Sequence, residues 1–289
     1  MVNPVRAAVF PVAGRGTRFL PVTKALPKEM LPIVDKPLIQ FAVEEALAAG
    51  VTKLVFITSA TKGAIKDHFE PDRELEQVLS ETGKNTLLQS IKDIVPSHVS
   101  CIYINQGEPL GLGHAVLCAR SAIGNEPFFV HLADDLILAE TPCLSQMVEQ
   151  YDRHGGSVVA VERIAREESS SYGIVAVNDT DGGQRMTKIV EKPAPQEAPS
   201  DLAVVGRYLL MPEIWEKLEN TGRGAGGEIQ LTDAIADLLE DRNVYVCSFS
   251  GIRYDCGSKL GYLKATVASG LDDVDIGESF RAYLNDHVK

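Results

Sequence analysis

The sequence predicts an α/β fold with a largely parallel sheet covered on both faces and a smaller antiparallel extension. Two observations carry the prediction. In the first half, apolar runs alternate with helical patterns, and near-continuous apolar strands mark a sheet buried on both sides. In the second half, short strands follow one another through turns and polar loops, as in an antiparallel or mixed arrangement.

Ala7–Val12 reads as the first strand. Leu38–Ala49 is a helix stopped by Gly50, and Lys53–Ser59 is a second strand. A polar stretch spans Asp72–Lys92, followed by a strand at Ser100–Ile104, a helix at Gly113–Ala122 and an apolar strand at Phe128–Leu132. Thr141-Pro142 opens the next helix, with Thr141 as N-cap and Pro142 at the first helical position. Ser157–Val161, Gly173–Val177, Met186–Glu191 and Ala203–Leu210 are strands, with a turn at Asp179–Gln184 and a proline-rich loop at Pro193–Pro199. Helices are expected at Ile229–Leu239 and Lys259–Ala268, and a short packing helix at Glu278–His287. There is no internal repeat and no strong boundary, so a single domain over 1–289 is expected.

The 289 residues are 45% hydrophobic and 24% charged, an ordinary balance for a chain that buries a core. No apolar run approaches the roughly 20 residues that cross a bilayer. The start, Met1-Val2-Asn3-Pro4-Val5-Arg6, lacks a signal-peptide core. Cys101, Cys118, Cys143, Cys247 and Cys256 show no CxxC spacing and read as reduced side chains of a cytoplasmic protein. The histidines show no HxxxH or HExxH pairing, which argues against zinc.

Charge is distributed unevenly. The net charge is −12, yet the first 28 residues hold Arg6, Arg15, Arg18, Lys24 and Lys28 and no acid. The glycine loop Gly14-Arg15-Gly16-Thr17-Arg18 follows the first strand directly. Glycines let backbone N–H groups approach an anion, and Arg18 can clamp two phosphate oxygens. An acidic protein with one positive strand exit suits a polyanionic small molecule such as a nucleotide rather than a nucleic acid. The loop is neither a Walker P-loop nor the dinucleotide fingerprint, since GxxxxGK[ST] is absent and Phe19 stands where the third glycine would be. A tight turn with solvated basic side chains is the plainer alternative.

Three further clusters lie past strands. Asp134 and Asp135 follow Phe128–Leu132, where a carboxylate can hold Mg²⁺ against substrate phosphates or serve only as a turn residue. Gln106, with Gly111 and Gly113 downstream, can pair with a base edge or simply link a strand to a helix. Glu191-Lys192 suits sugar hydroxyls and a sugar phosphate, or is an edge-strand charge pair. His114, His131 and Trp215 read as packing residues, and Cys256 as buried rather than nucleophilic.

Taken together, these residues resemble the sugar-1-phosphate nucleotidyltransferases. The resemblance is carried by Gly14–Thr23, Lys24–Pro32, Gly111–Ala115, Asp134, Glu191–Pro193, Gly227–Asp233 and Asp255–Tyr262, in order over nearly the whole chain. It narrows to the uridylyltransferase group that uses glucose 1-phosphate. It implies a Rossmann-like three-layer α/β/α fold with a mixed, mainly parallel central sheet. Residues 1–140 would mainly bind nucleotide and 141–268 mainly sugar, with 269–289 a helical tail. Ala13 and Gly14 would contact uridine through the backbone, and Arg18 and Lys28 would bind the triphosphate. Glu29, Gln106 and Gly111 would surround the nucleoside. Asp134 would hold Mg²⁺, and Asp255 resembles a second metal-side aspartate of related enzymes. Gly173, Glu191, Val205 and Gly206 would form the sugar pocket, with Lys192 on the sugar phosphate. The implied partners are UTP and glucose 1-phosphate, with no nucleic acid and no membrane, and the implied assembly is a homo-oligomer, a dimer or tetramer. The same chemistry on dTTP or another hexose 1-phosphate, a non-catalytic sugar-nucleotide module and a nicotinamide-dependent oxidoreductase are the competing readings.

Overall fold

A computed structural model of the chain describes residues 2–59 and 62–287. From the N-terminus the elements are β1 (Ala7–Pro11), the two-residue strands β2 (Pro32–Ile33) and β3 (Lys36–Pro37), α1 (Leu38–Ala48), β4 (Lys53–Thr58), α2 (Gly63–Phe69), α3 (Arg73–Glu81), α4 (Asn85–Lys92), β5 (Ser100–Asn105), α5 (Leu112–Cys118), α6 (Arg120–Ile123), β6 (Phe128–His131) and β7 (Asp135–Leu138). The second half continues with α7 (Cys143–His154), β8 (Ser157–Arg163), β9 (Gly173–Thr180), β10 (Gly183–Glu191), β11 (Leu202–Leu210), α8 (Ile214–Asn220), α9 (Leu231–Leu238), β12 (Val244–Ser248), β13 (Ile252–Asp255), α10 (Lys259–Asp272) and α11 (Gly277–His287).

Among the described residues, nine strands form one sheet in the order β5-β4-β1-β6-β11-β8-β12-β10-β9. Strands β5, β4, β1 and β6 are mutually parallel. Strand β11 runs against β6 and β8, β12 lies parallel to β8, and β10 is antiparallel to both β12 and β9. A further β9–β11 pairing brings the antiparallel half back on itself. The sheet is mixed, as the sequence predicts, with a parallel half and an antiparallel extension, and its pairings divide into four parallel and five antiparallel.

Alternate side chains of the strands feed two cores. On one face Phe10, Phe56 and Phe129 pack with Ile39, Ala42 and Val43 of α1 and Leu144, Met147 and Tyr151 of α7. On the other, Val9, Val130 and Tyr208 pack with Val116 of α5, Leu218 of α8 and Leu231 and Ile235 of α9. Every residue of β6 is buried, so it has no polar-out alternation. Full burial of each such side chain contributes about 1.5–3 kcal/mol, which is why the central strands are apolar on both faces. No helix among the described residues is long and apolar enough to cross a membrane.

Several elements depart from the sequence reading. The polar stretch Asp72–Lys92 folds as α3 and α4, with Asp72 capping α3 by accepting from the Leu75 N–H at 3.0 Å. Within these two helices only Leu79 is buried; Leu75, Val78 and Leu87 share the apolar spacing but stay exposed. Helix α7 begins one residue later than expected. Pro142 is its extended N-cap, and Thr141 makes no cap. The expected turn at Asp179–Gln184 shrinks to Asp181-Gly182 between β9 and β10, with Gly182 at φ +102°. Strands β7, β12 and β13 and helices α2 and α8 form where the sequence reading placed no element. Strand β7 pairs with β13 in a separate two-stranded ribbon.

Trp215 is a packing residue, as expected. It is buried, stacks on Phe128 with ring centroids 4.5 Å apart, and its indole N–H donates to the Gly124 carbonyl at 2.9 Å. Trp215→Ala is therefore expected to lower unfolding free energy by about 3–5 kcal/mol. Urea denaturation showing a loss below about 1 kcal/mol would contradict this packing.

Candidate active site

The parallel strands end at one edge of the sheet, and the chemistry-bearing residues gather there. Strand β1 empties into the glycine loop. Gly16 adopts φ +63°, and a Cβ built on it would stand 3.1 Å from Lys28 Cβ and 3.2 Å from Thr23 Cγ2. The Thr23 hydroxyl donates to the Gly16 carbonyl at 2.8 Å. The loop thus folds down on the stem of Lys28, which needs a residue without a side chain. Lys28 sits on a short 3₁₀ turn, Lys28–Met30, and its ammonium reaches Asp134 Oδ2 at 2.5 Å.

Asp134 belongs to the turn that leaves β6, closed by the Asp135 N–H donating to the Leu132 carbonyl at 3.2 Å. The β7–β13 ribbon pairs Asp135 with Asp255 and so carries Asp255 to the same place. The Cys256 N–H donates to the Asp134 carbonyl at 2.8 Å. A Cβ built on Gly257 would lie 2.9 Å from Asp134 Oδ2, 3.0 Å from Asp255 Oδ1 and 3.4 Å from Arg18 Nη1. The two carboxylates and the guanidinium therefore converge over one glycine. Arg18 also donates to the Gly257 carbonyl at 3.3 Å.

These groups line a cavity of about 470 Å³ that also takes in Gly173, Glu191, Lys192, Gly206, Tyr208 and Arg253. Glu191 ends β10, pairs with the Lys192 ammonium at 2.9 Å and accepts from the Thr232 hydroxyl at 2.6 Å. Lys192 has φ +45°, unusual for a residue with a side chain, and precedes a proline that disfavours helical backbone. Its N–H donates to the Tyr172 carbonyl at 3.0 Å, and the Ser169 hydroxyl holds the next carbonyl, that of Pro193, at 3.0 Å. Gly206, at φ +71°, has no room for a Cβ beside Asp135 Oδ2 and Leu132. Val205 is fully buried in the core and lies outside this lining.

The remaining candidates lie on neighbouring strand exits, outside this lining. Gly14 is open, with nothing within 4 Å of a built Cβ, beside half-buried Ala13. Gln106 follows β5 and donates to the Gly111 carbonyl at 3.2 Å, with His114 Nδ1 also at 3.2 Å. Gly111 and Gly113 dock against backbone of Glu228–Gln230, where the Gly113 N–H donates to the Ile229 carbonyl at 2.8 Å. Glu29 is buried and paired with Lys62 at 2.7 Å. Lys62 also donates to the Val12 carbonyl at the exit of β1.

Lys62 and Arg253 are absent from the sequence reading, and Thr232 enters it only within the Gly227–Asp233 segment that carries the resemblance. Lys62 stands past the end of β4 as the glycine loop stands past β1, and that position was its only signal. Arg253 bridges Asp135 at 2.5 Å and Glu162 at 2.6 Å across elements far apart in sequence, which no local pattern reveals.

The charges respond to this crowding. Burial works against ionised Asp134, but Lys28 outweighs it and holds the carboxyl below its usual range. Lys28 is likewise raised, since Asp134 and Glu29 overcome its burial. Burial raises Glu29 and lowers Lys62, each partly offset by the other's charge. Burial, reinforced by Asp134, pushes Asp135 up to about 6 against the pull of Arg253. An ordinary aspartate titrates near 3.9, so across this window the native state keeps a proton the unfolded chain has lost. Stability linked to Asp135 is therefore present at low pH and lost as pH rises through about 6. Wild type is expected to gain stability relative to Asp135→Asn as pH drops from about 7 to about 5, read from urea midpoints. Parallel pH profiles for the two proteins would refute the shift.

The chain is similar to known proteins over nearly its whole length. Residues 8–269 match the nucleotidyl transferase family model. The chain is 48% identical over 293 aligned positions to the UTP–glucose-1-phosphate uridylyltransferase YngB of Bacillus subtilis (strain 168), covering 100% of this chain and 97% of that protein. A second uridylyltransferase of that name from the same organism is 48% identical, with 98% and 97% covered. Among solved structures, a UTP-bound UGPase from Acinetobacter baumannii superposes with TM-score 0.90 at 43% identity, covering 99% of this chain and 100% of that one. A UDP-glucose pyrophosphorylase complexed with UDP-glucose gives TM-score 0.86 at 43% identity, covering 93% and 100%. The chain belongs to the nucleotidyl transferase family.

Proposed function

We propose that this chain transfers a uridylyl group: UTP and glucose 1-phosphate give UDP-glucose and pyrophosphate. The observation that supports it most is the single cavity lined by Arg18, Asp134, Lys192 and Asp255. The names of the relatives and the UTP and UDP-glucose complexes of the structural neighbours support the substrate pair.

In this reading a phosphate oxygen of glucose 1-phosphate attacks the α-phosphorus of UTP in line, and pyrophosphate leaves. Ala13 and Gly14 meet the uridine through their backbone, with Glu29, Gln106 and Gly111 around the nucleoside. Arg18 and Lys28 bind the triphosphate and neutralise charge on the leaving pyrophosphate. Gly173, Glu191, Val205 and Gly206 bound the sugar, and Lys192 draws in its phosphate. Holding both substrates in one cavity supplies the positional advantage, and no side-chain nucleophile is needed.

Magnesium suits the residues present. Mg²⁺ is commonly held by one or two carboxylates with substrate phosphates and water. Asp134 and Asp255 supply two carboxylate oxygens, each about 3 Å from the position of a Cβ on Gly257. Bound there, Mg²⁺ would supply charge neutralisation between the reacting phosphates. Lys28, now on Asp134, would then be free to turn to the triphosphate. On α10, the exposed Leu260, Leu263 and Val267 support a homo-oligomeric assembly.

Asp134→Asn is expected to lower pyrophosphate release by at least about 100-fold with the fold retained. Normal turnover by that variant would refute the metal assignment. Lys192→Ala is expected to raise KM for glucose 1-phosphate by about 10-fold or more while leaving KM for UTP near wild type. An unchanged dependence on the sugar phosphate would remove Lys192 from its role.

A further inference from the structure

Beneath the Asp134 turn, on the α1 side of the sheet, lies a buried cluster that the proposed reaction does not use. Arg207 is 1% exposed. Its Nη1 donates to the Leu132 carbonyl at 3.1 Å and the Gly206 carbonyl at 3.5 Å. Its Nη2 donates to the Asp135 carbonyl at 2.6 Å and Glu45 Oε2 at 3.0 Å, and its Nε to Glu45 Oε1 at 3.1 Å. All five guanidinium donors are engaged. Glu45, on α1, also accepts from the Leu144 N–H at the start of α7 at 3.1 Å and contacts His131 Nε2 at 3.1 Å.

The two outer carbonyls, those of Leu132 and Asp135, are the ends of the turn that presents Asp134. One rigid fork grips both ends from below, while the Cys256 N–H grips the Asp134 carbonyl from the ribbon side. Strand β11 slips register against β8 between Val204 and Tyr208, and this irregularity contains Gly206 and Arg207. A buried ion pair is by itself weak evidence for stability, since apolar residues of similar volume often replace one without loss. Lysine offers no planar fork and cannot reproduce the grip on two carbonyls and a carboxylate.

We propose that Arg207, anchored by Glu45, is a positioning residue that sets the orientation of Asp134 toward the metal. The inference rests on the reading of Asp134 as a metal ligand. Outer partners of metal ligands typically affect metal affinity or activity by about 10–100-fold.

The test compares wild type with Arg207→Lys and with the double variant Glu45→Met/Arg207→Met, which removes both charges together and so avoids a stranded one. Each is assayed for pyrophosphate release across a Mg²⁺ titration, and for Mn²⁺ binding in the presence of UTP by electron paramagnetic resonance. Both variants are expected to lose about 10–100-fold in kcat and to bind Mn²⁺ about 10-fold or more weakly. KM for UTP and for glucose 1-phosphate stays within about threefold of wild type at saturating metal. A folded variant with wild-type Mn²⁺ affinity overturns the proposal, whatever its activity. So does failure of the double variant to fold, which would make the cluster a structural necessity. A wild-type enzyme that neither needs Mg²⁺ nor binds Mn²⁺ would instead overturn the metal reading itself.

Discussion

Lys28 and Asp134 are separated by 106 residues and meet at 2.5 Å where β1 and β6, adjacent parallel strands, leave the sheet. Much of the site depends on that meeting. The glycine loop can reach Asp134 only because Gly16 lets it pack on the Lys28 stem. The pair is a partly exposed contact between two groups that both have business with phosphate chemistry. A lysine held against a carboxylate is kept in place and kept charged, ready for the anion that arrives. Removing Asp134 would therefore strand Lys28 as well as take away the carboxylate proposed to hold the metal.

Around that pair the two halves of the chain come together at a set of glycines. Gly111 and Gly113 lie on Glu228–Gln230, Gly257 lies beneath Asp134, Asp255 and Arg18, and Gly206 lies against Leu132 and Asp135. At Gly111 and Gly113 distant segments touch main chain to main chain, while Gly206 and Gly257 leave room for side chains from other segments. The cost is conformational freedom lost on folding. The return is a cavity whose walls are set by hydrogen bonds between rigid strand ends, which suits the in-line transfer proposed for it.

The sequence made the central parallel strands legible because full burial on both faces leaves an apolar run that nothing else produces. The basic glycine loop was legible for a related reason: five cations without one acid, in a chain of net −12, is an electrostatic anomaly. Asp134, Glu191 and Lys192 were legible from their places after strands together with the family resemblance. Lys62, Arg253 and Arg207 were not, because each acts through partners far away in sequence. Arg207 sits in a strand of nine residues that are all buried, and a sequence shows only a charge among apolar neighbours there. Helices α3 and α4 were missed although Leu75, Val78 and Leu79 and then Leu87, Leu88 and Ile91 recur at helical spacing, because the polar residues around them were read as a polar stretch.

The claim that one cavity brings a nucleoside triphosphate and a sugar phosphate together is tested most directly by pyrophosphate release from the purified chain with Mg²⁺. The assay would run across a panel of nucleoside triphosphates and sugar 1-phosphates. Turnover dominated by UTP with glucose 1-phosphate is the predicted result. Absence of turnover with every pair, from folded protein that still binds UDP-glucose, would contradict the account and leave a binding module in its place.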